Sequence, residues 1–334
     1  MKFMGFIITF GIFAATFIIM YLCERIYIRL ALRHGITNKS ATNPIASGGG
    51  IIIPLTYMAC ELYSLLSRGE LIYPYFLAGT VIIATVSFID DVRDLSPMLR
   101  LIAHFACAAL LMAQIGATTG IRMPAWLTSI AVIATVAATN AFNFIDGIKG
   151  ITGCYSLAVF VSLLASGCAA INDLVVIAVI AATAVFCTFN LRTPERCYCG
   201  DTGAITIGYM ASLLVLLCAT WQSPDITAPV VDFSAATFII VYLVEFSLTL
   251  LRRIIRREDI FSHHHSHLYQ RLALERHIPH IRVALCYALL QAAISVVYIM
   301  LPASAHTAYF AIITIVLIAL HTIISRSIKS GPDN

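Results

Sequence analysis

The stretch AWLTSIAVIATVAATNAFNFIDGIKG, residues 125–150, begins as an apolar run and ends in a polar cluster. A membrane-spanning helix needs about 20 predominantly apolar residues. The run is long enough for one span, and it carries no charged residue before Asp146. The sequence therefore predicts a transmembrane helix whose end gathers two amides, a carboxylate and two glycines.

The whole chain of 334 residues shares this character, because 60% of its residues are hydrophobic and 11% are charged. Its mean hydropathy is +0.90. These values are typical of a polytopic membrane protein and not of a soluble domain. We expect an all-α transmembrane helix bundle of about eleven spans. Without repeats or a soluble-sized loop, residues 1–334 should form a single domain. The spans should start near Phe3, Gly48, Tyr73, Leu99, Ala125, Gly153, Asp173, Gly203, Phe233, Arg282 and Thr307.

The distribution of Lys and Arg predicts the orientation of the bundle, because cationic loops remain in the cytoplasm. An N-terminus outside and a C-terminus in the cytoplasm leave only Lys2, Arg68 and Arg122 outside. The net charge of +4 then reflects membrane topology. A nucleic-acid partner is not expected.

The polar stretches follow the same parity, since each comes after an odd-numbered span. The predicted outside loops are short and chemically plain, whereas the predicted cytoplasmic loops carry carboxylates, amides, glycines and histidines. This one-sided distribution predicts an active site at the cytoplasmic face. The stretches are NKSATNPIASGGG, FIDDVRDLSP, NAFNFIDGIKG, NLRTPERCYCGDTGA and REDIFSHHHSHLYQRL.

Asp90 and Asp91 form an adjacent pair at the end of the third span. Neighbouring carboxylates repel each other, so a cation or a shared proton usually accompanies them. The alternative is a solvated helix end, with Pro97 starting the next helix.

Asn140, Asn143 and Asp146 are spaced by three residues, so a continuing helix would place them on one face. Gly147 and Gly150 would let backbone amides approach a ligand closely. A plain helix end explains one Asn and one Gly of this cluster but not all of it.

Asp201 lies between Gly200 and Gly203 at the start of the eighth span. It reads either as an N-cap or as a carboxylate beside a metal-bound phosphate. Nearby, Cys197 and Cys199 have no second cysteine pair at zinc spacing.

A histidine run in a basic segment contains His263, His264, His265 and His267. It could belong to an interfacial amphipathic helix, bind zinc, or bind phosphate. Phosphate fits the neighbouring motifs best.

Taken together and in this order, the motifs resemble those of the polyprenyl-phosphate N-acetylhexosamine-1-phosphate transferases, the MraY/WecA-type membrane enzymes. Asp90 and Asp91 resemble the family's paired aspartates, and Asn140 to Gly147 its N-x-x-N-x-x-D-G. PERCYCGDTGA is similar to P-A-R-x-F-M-G-D-x-G-S, and HHHSH is similar to H-x-H-H. The segment HHHSHLYQRL looks most like the subgroup that initiates bacterial O-antigen chains on undecaprenyl phosphate.

The resemblance implies transfer of an N-acetylhexosamine 1-phosphate from a UDP-sugar to undecaprenyl phosphate, with release of UMP. It places the enzyme in the bacterial inner membrane, and a homodimer is a further expectation. Asp201 and Asn143 would bind Mg²⁺, with Mn²⁺ as an alternative. Asp90, Asp91 and Asp146 would be catalytic, and His264 and His267 would hold a phosphate. The donor would be bound by Lys39, Asn140, Gly147 and Lys149.

The sequence departs from the family pattern at three positions, which are Lys149 in place of Asp or Asn, Ala204 in place of Ser, and Ser47 in place of a basic residue. Lys149 could contact the nucleotide or point to solvent. A transporter and a catalytically inactive member of the family are the alternative functions.

Overall fold

The computed structural model describes residues 2–37, 44–221, 231–258 and 267–328, with side chains from residue 9 onward. Lys39 and His264 lie outside the described residues. Within these ranges the regular secondary structure is helical, and the β-type pairing is limited to isolated bridges at Ala46. The α-helices are α1 (Lys2–Arg33), α2 (Ile52–Arg68), α3 (Pro74–Val92), α4 (Pro97–Thr119), α5 (Ala125–Phe144), α6 (Ile151–Ala165), α7 (Asp173–Asn190), α8 (Gly200–Thr220), α9 (Ile240–Ile255), α10 (Leu268–Leu274), α11 (His280–Met300) and α12 (Ala303–Ser327). Short 3₁₀ turns at Gly49–Ile51 and Phe233–Ile239 lead into α2 and α9.

Ten stretches of the described chain are long and apolar enough to cross a membrane. This confirms the prediction of a polytopic helical bundle. One predicted span, the sixth in chain order and starting near Gly153, is not among these ten. It forms α6, which has only 15 residues. At 1.5 Å per residue it is about 22 Å long, shorter than the roughly 30 Å hydrocarbon core.

Helix α8 occupies the centre of the bundle, where it packs against α2, α3, α4, α5 and α6. Its sequence, GDTGAITIGYMASLLVLLCAT, is rich in small residues that let helix backbones approach closely. A Cβ at Gly208 would lie 3.0 Å from Thr139 Cα on α5. The central helix thus holds α5 in a fixed register beside the motif that contains Asp201.

The two ends of the bundle differ in their polar contacts. At one end, the Glu61 carboxylate accepts hydrogen bonds from the Ile72 and Tyr73 amides and closes the α2–α3 turn. Tyr73 Oη donates to Ala170 O in the α6–α7 turn. At the other end, the C-terminus of α3 meets the N-terminus of α8. The polar motifs converge at this second end, which we call the motif end.

The ends of two helices at the motif end can be compared with the sequence prediction. Helix α4 begins at Pro97, two residues before the predicted span start near Leu99 and at the position that the helix-end alternative gave. Helix α5 ends at Phe144, so the expectation that Asp146 continues the helical face of Asn140 and Asn143 was wrong. The amide of Asp146 donates to Asn143 O at 3.1 Å, a tight turn that redirects the chain after the last helical residue.

Candidate active site

Asp90 and Asp201 lie side by side at the motif end, although they are far apart in sequence. Arg100 Nη1, on the first turn of α4, is 2.6 Å from Asp90 Oδ2 and 3.2 Å from Asp201 Oδ2. The Asp201 carboxyl is also within hydrogen-bonding range of Asp90. Two carboxylates this close are stabilised by a cation or by a shared proton. The structure supplies the cation as Arg100.

Asp91 points to a different partner, the N-terminus of α8. Its Oδ1 accepts the Asp201 amide at 3.0 Å, and its Oδ2 accepts the Thr202 amide at 3.0 Å and Thr202 Oγ1 at 2.6 Å. A carboxylate at this position accepts hydrogen bonds from the free amides of the first helical turn and interacts favourably with the helix dipole. The cap of α8 is therefore Asp91, and Asp201 is a first-turn residue rather than the N-cap.

The glycine-rich loop pairs with the segment that precedes α8. Gly49 N donates to Tyr198 O at 2.8 Å, and Gly50 N donates to Cys199 O at 3.0 Å. A Cβ at Gly50 would lie 2.4 Å from Gly203 Cα, so only glycine fits at this contact. The side chain of Cys197 donates to a buried carboxylate, Glu24 Oε1, at 3.2 Å. Both cysteines of the C-x-C thus have packing contacts in this structure.

Asn140, on the last turns of α5, is held by two contacts. Its Nδ2 donates to Val136 O at 2.7 Å and lies 3.0 Å from His104 Nδ1 on α4. Asn143 is half-buried one turn further along the helix. His104 thereby helps to fix the side-chain amide of Asn140.

Asp146 lies after the end of α5, where its Oδ1 accepts Thr152 Oγ1 at 2.6 Å. Burial raises the pKa of Asp146 to about 7, and the nearby Asp91 carboxylate acts in the same direction. The hydrogen bond from Thr152 lowers the pKa and offsets part of this rise. A carboxyl group with this pKa changes its charge near neutral pH.

Gly147 packs against the start of α10. Tyr269 Oη, on α10, donates to Phe144 O at 3.1 Å and is a backbone hydrogen-bond partner of Gly147. A Cβ at Gly147 would lie 2.4 Å from Tyr269 Oη and 2.6 Å from Gln270 Nε2. Tyr269 and Gln270 of the last motif therefore support the turn that follows α5.

Lys149 contacts the loop between α7 and α8. Its Nζ donates to Arg192 O, donates to Thr193 Oγ1 at 3.0 Å, and lies 3.3 Å from Glu195 Oε1. The lysine side chain is only 9% exposed, so it does not extend into solvent. A contact between Lys149 and the nucleotide stays a prediction.

His267 is buried at the start of α10 instead of lying on an open surface. Its Nδ1 is 3.6 Å from Glu245 Oε1, and its backbone amide donates to Gln270 Oε1 at 3.4 Å. A phosphate contact of His267 stays a prediction. His264 and Lys39, which the resemblance also implicates, lie outside the described residues.

The donor chemistry of the site suits Mg²⁺. In the part of the chain that the structure describes, no group of three or more His, Cys, Asp and Glu side chains could hold a metal ion. Mg²⁺ is usually bound by one or two carboxylates together with waters and substrate phosphates, so it needs no such cage. The adjacent carboxyl groups of Asp90 and Asp201 are hard oxygen donors of this kind, and Asn143 would add an amide oxygen.

Several supporting residues were missed from the sequence. Arg100 and His104 lie on α4, the helix that follows the paired aspartates. Asn190 was missed as well. Its Oδ1 accepts the Gly150 amide at 2.9 Å, and its Nδ2 donates to Cys197 O at 2.9 Å, which joins two motif loops.

Comparison with known proteins identifies the segment that holds most of these residues. The family model described as Glycosyl transferase family 4 matches residues 73–219. This segment contains Asp90, Asn143, Asp146 and Asp201, whereas Lys39, His264 and His267 lie outside it.

Three curated relatives are similar over longer stretches. "Probable undecaprenyl-phosphate N-acetylglucosaminyl 1-phosphate transferase" of Bacillus subtilis (strain 168) is 26% identical over 58% of this chain and 56% of its own length. "Undecaprenyl-phosphate alpha-N-acetylglucosaminyl 1-phosphate transferase" of Yersinia pestis is 29% identical over 64% of this chain and 63% of its own. "Phospho-N-acetylmuramoyl-pentapeptide-transferase" of Thermotoga neapolitana is 24% identical over 66% and 74%, respectively.

The chain thus spans between about half and three quarters of the length of these relatives. The family description and the names of the three relatives all describe transferases. They support a relationship of this chain to glycosyl transferase family 4, of the MraY/WecA type, centred on the segment with Asp90, Asp146 and Asp201.

Proposed function

We propose that this protein transfers a sugar 1-phosphate from a UDP-sugar to undecaprenyl phosphate, releasing UMP. The observation that carries the proposal is the convergence of Asp90, Asp146 and Asp201 at one end of a membrane bundle, within the family-matched segment. The names of the relatives support a polyprenyl-phosphate acceptor and a phospho-sugar product.

In the proposed reaction, an oxygen of the lipid phosphate attacks the phosphorus that bears the sugar. A new P–O bond forms to the lipid phosphate, the bond between the two donor phosphates breaks, and UMP leaves with the bridging oxygen. Such a site must align two anions and offset their mutual repulsion.

The residues of the chain divide this work. Arg100 can neutralise phosphate charge beside Asp90, and it fixes the Asp90 carboxylate for orienting the lipid phosphate. Asn143 and Asp201 would hold Mg²⁺ or Mn²⁺, which would supply charge neutralisation at the phosphates. Asn140, Gly147 and the Lys149 loop would bind the UDP-sugar.

The finer features of the function belong to the same proposal. The donor is a UDP-N-acetylhexosamine, and the SHLYQ segment favours a 6-deoxy sugar such as N-acetylfucosamine or N-acetylquinovosamine. The product would start an O-antigen chain of lipopolysaccharide. The site would face the cytoplasm of the bacterial inner membrane, with the N-terminus outside, the C-terminus inside, and a homodimer as the assembly.

The location of the carboxylates argues against the transporter alternative. A transporter binds its cargo near the middle of the membrane and exposes the site to each side in turn. Here the carboxylates of Asp90, Asp91 and Asp201 meet at the ends of α3 and α8.

The deciding experiment is UMP release by purified full-length protein with undecaprenyl phosphate and a panel of UDP-N-acetylhexosamines, with and without Mg²⁺ or Mn²⁺. We expect release that requires both the lipid phosphate and the metal. No release with any donor and either metal would contradict an active transferase. Tenfold faster turnover with UDP-N-acetylglucosamine than with both deoxy sugars would contradict the deoxy preference alone.

A further inference from the structure

A basic cleft of about 520 Å³ lies between the ends of α9, α10 and α12. It is at the motif end of the bundle, because α10 also carries Tyr269, which contacts the turn at Gly147. Asp90, Asp146 and Asp201 do not line it. The lining residues are Leu248, Leu251, Arg252, Ile255, Arg256, Arg271, His321, Thr322, Ser325, Arg326 and Ile328.

The cleft is strongly cationic. It has four arginines, and the lining that the described ranges provide includes no carboxylate. The nearest acidic partners stand beside two of the arginines, with Glu258 Oε1 3.7 Å from Arg256 Nη1 and Glu275 Oε1 2.9 Å from Arg271 Nε. Glu245, 3.5 Å from His321 Nε2 in the cleft wall, is a third carboxylate. Among the described residues, four guanidinium groups and three carboxylates leave a net positive charge. Planar guanidinium groups bind phosphate oxygens through paired hydrogen bonds.

The arginines are held in place by neutral groups of α12. Arg252 Nη2 donates to Ser325 Oγ at 2.9 Å, and Arg271 Nη1 donates to Ser325 O at 3.0 Å. Arg271 Nη2 donates to Ile328 O at 2.8 Å. Arg271 uses its five N–H donors on Glu275, Ser325 and Ile328. The donors that face an anion are therefore those of Arg252, Arg256 and Arg326.

The rim of the cleft is apolar and faces the surface that lipid would cover. Leu251 and Ile255 on α9, which line the cleft, are 53% and 71% exposed. Both helices belong to stretches long and apolar enough to cross a membrane, and α12 is mostly exposed on the outside of the bundle. A phosphate bound by the arginines would therefore have hydrocarbon beside it, which suits a lipid headgroup better than a free anion.

A buried histidine lines the inner wall of the cleft. His321 is 6% exposed, and its Nε2 makes no hydrogen bond with the described residues, although Glu245 Oε2 is 3.5 Å away. Glu245 Oε1 accepts the Leu268 amide at 2.7 Å. Glu245 thus connects His321 in the wall of the cleft with Leu268, the residue next to His267.

We propose that this cleft binds the phosphate headgroup of an anionic membrane phospholipid, at a site separate from the carboxylates of Asp90, Asp146 and Asp201. Arg252, Arg256 and Arg326 hold the phosphate, and the apolar rim accommodates the start of the acyl chains. The site goes beyond the proposed sugar-phosphate transfer and does not depend on it.

The test measures lipid retention by native mass spectrometry on full-length protein in micelles with phosphatidylglycerol or phosphatidylcholine. The variant Arg252→Gln/Arg326→Gln removes two charges from the cleft, and Arg252→Lys/Arg326→Lys retains them. A matched control, Arg68→Gln/Arg122→Gln, removes two exposed arginines from the opposite end of the bundle.

We expect wild type, the lysine variant and the control to prefer phosphatidylglycerol. The preference should fall at least about tenfold in the glutamine variant, since each charged hydrogen bond contributes about 1.5 to 3 kcal/mol. An unchanged preference in the glutamine variant would overturn the proposal. If that variant fails to fold, Arg326→Gln alone gives the answer, because this side chain is exposed.

Competition identifies the source of the phosphate. Displacement of phosphatidylglycerol by inorganic phosphate at equal concentration would mean a free-anion site and would overturn the lipid assignment. Displacement by undecaprenyl phosphate at equal concentration, with the same loss in the glutamine variant, would make the cleft an acceptor site and also overturn it. Retention does not require turnover, so a negative UMP-release assay leaves this test intact.

Discussion

Lys149 and Glu195 show at the residue scale how a departure from the family pattern is matched by a partner in the fold. The structure places the Glu195 carboxylate 3.3 Å from Lys149 Nζ. The two opposite charges therefore neutralise each other next to the segment that leads to Asp201. Neither residue alone predicts this contact, because 46 positions separate them along the sequence.

The pair can be tested by reversing its charges. Lys149→Glu should lower the free energy of unfolding by more than about 1.5 to 3 kcal/mol, because it removes charged hydrogen bonds and places two carboxylates together. Adding Glu195→Lys should restore part of the loss. Thermal unfolding of the detergent-purified proteins measures both effects. A rise in donor KM in Lys149→Ala with no change in Tm would instead favour a nucleotide contact.

Asp146 makes the stability of the metal-free protein depend on pH. Its pKa of about 7 exceeds the usual value of 3.8, so the folded state holds this proton more tightly than the unfolded state. The contribution of this group to stability is present in acid and is lost as pH rises from about 4 through about 7. The Tm of wild type minus the Tm of Asp146→Asn should therefore fall from pH 5 to pH 8, because only the wild type loses stability as this group ionises. A difference that is constant or increases over this range would contradict the shift.

Arg100 predicts how a divalent cation affects stability. Arg100→Gln removes the positive group between Asp90 and Asp201, which leaves two close carboxylates without a partner. Mg²⁺ should therefore raise the Tm of Arg100→Gln by more than it raises the Tm of wild type. Arg93→Gln, an exposed arginine at the end of α3, is the matched control. Equal Mg²⁺ effects in all three proteins would exclude this arrangement.

At the element scale, Asp91 joins α3 to α8 and separates the roles of the two paired aspartates. Asp91 accepts three hydrogen bonds from the first turn of α8, whereas Asp201 on that turn faces Asp90 and Arg100. The sequence predicted the pair but not this division, because helix packing decides which carboxylate meets α8.

The two helix partners should respond differently to the same substitution. Asp91→Asn removes the anion from the α8 N-terminus and should lower the free energy of unfolding by about 1 to 2 kcal/mol. Asp201→Asn should instead leave Tm almost unchanged and reduce turnover by several orders of magnitude. Tm and UMP release, measured on both variants, separate the two effects. Near wild-type turnover of Asp201→Asn at saturating Mg²⁺ would remove Asp201 from the metal site.

At the scale of the whole molecule, the sequence predicted the helical bundle and the gathering of its motifs far better than it predicted their contacts. Apolar length and Gly, Pro and Asn at the run ends are local signals, so ten of the eleven spans and the start of α4 at Pro97 were predictable. The Tyr269–Gly147 contact and the Arg100 bridge depend on packing between distant helices. A single sequence carries no direct record of that packing.

The same scale gives a prediction for sidedness in the membrane. Glu70 lies in the α2–α3 turn and Arg93 at the C-terminus of α3, so the two exposed positions are at opposite ends of one span. In intact cells, a membrane-impermeant maleimide should label Glu70→Cys and not Arg93→Cys, against the background of the unsubstituted protein. Labelling of Arg93→Cys alone would reverse the predicted orientation.

The Asp91 cap also affects the order of events during synthesis. Its partner amides follow 110 and 111 residues later in the chain. At about 5 to 20 residues per second, α3 waits roughly 5 to 20 s before those amides are made. Four intervening helices, α4 to α7, are synthesised first. A nascent chain that stops before Gly200 would leave the Asp91 carboxylate without its partners at the edge of the bilayer. The Asp91 cap can therefore form only after synthesis of α8 has begun.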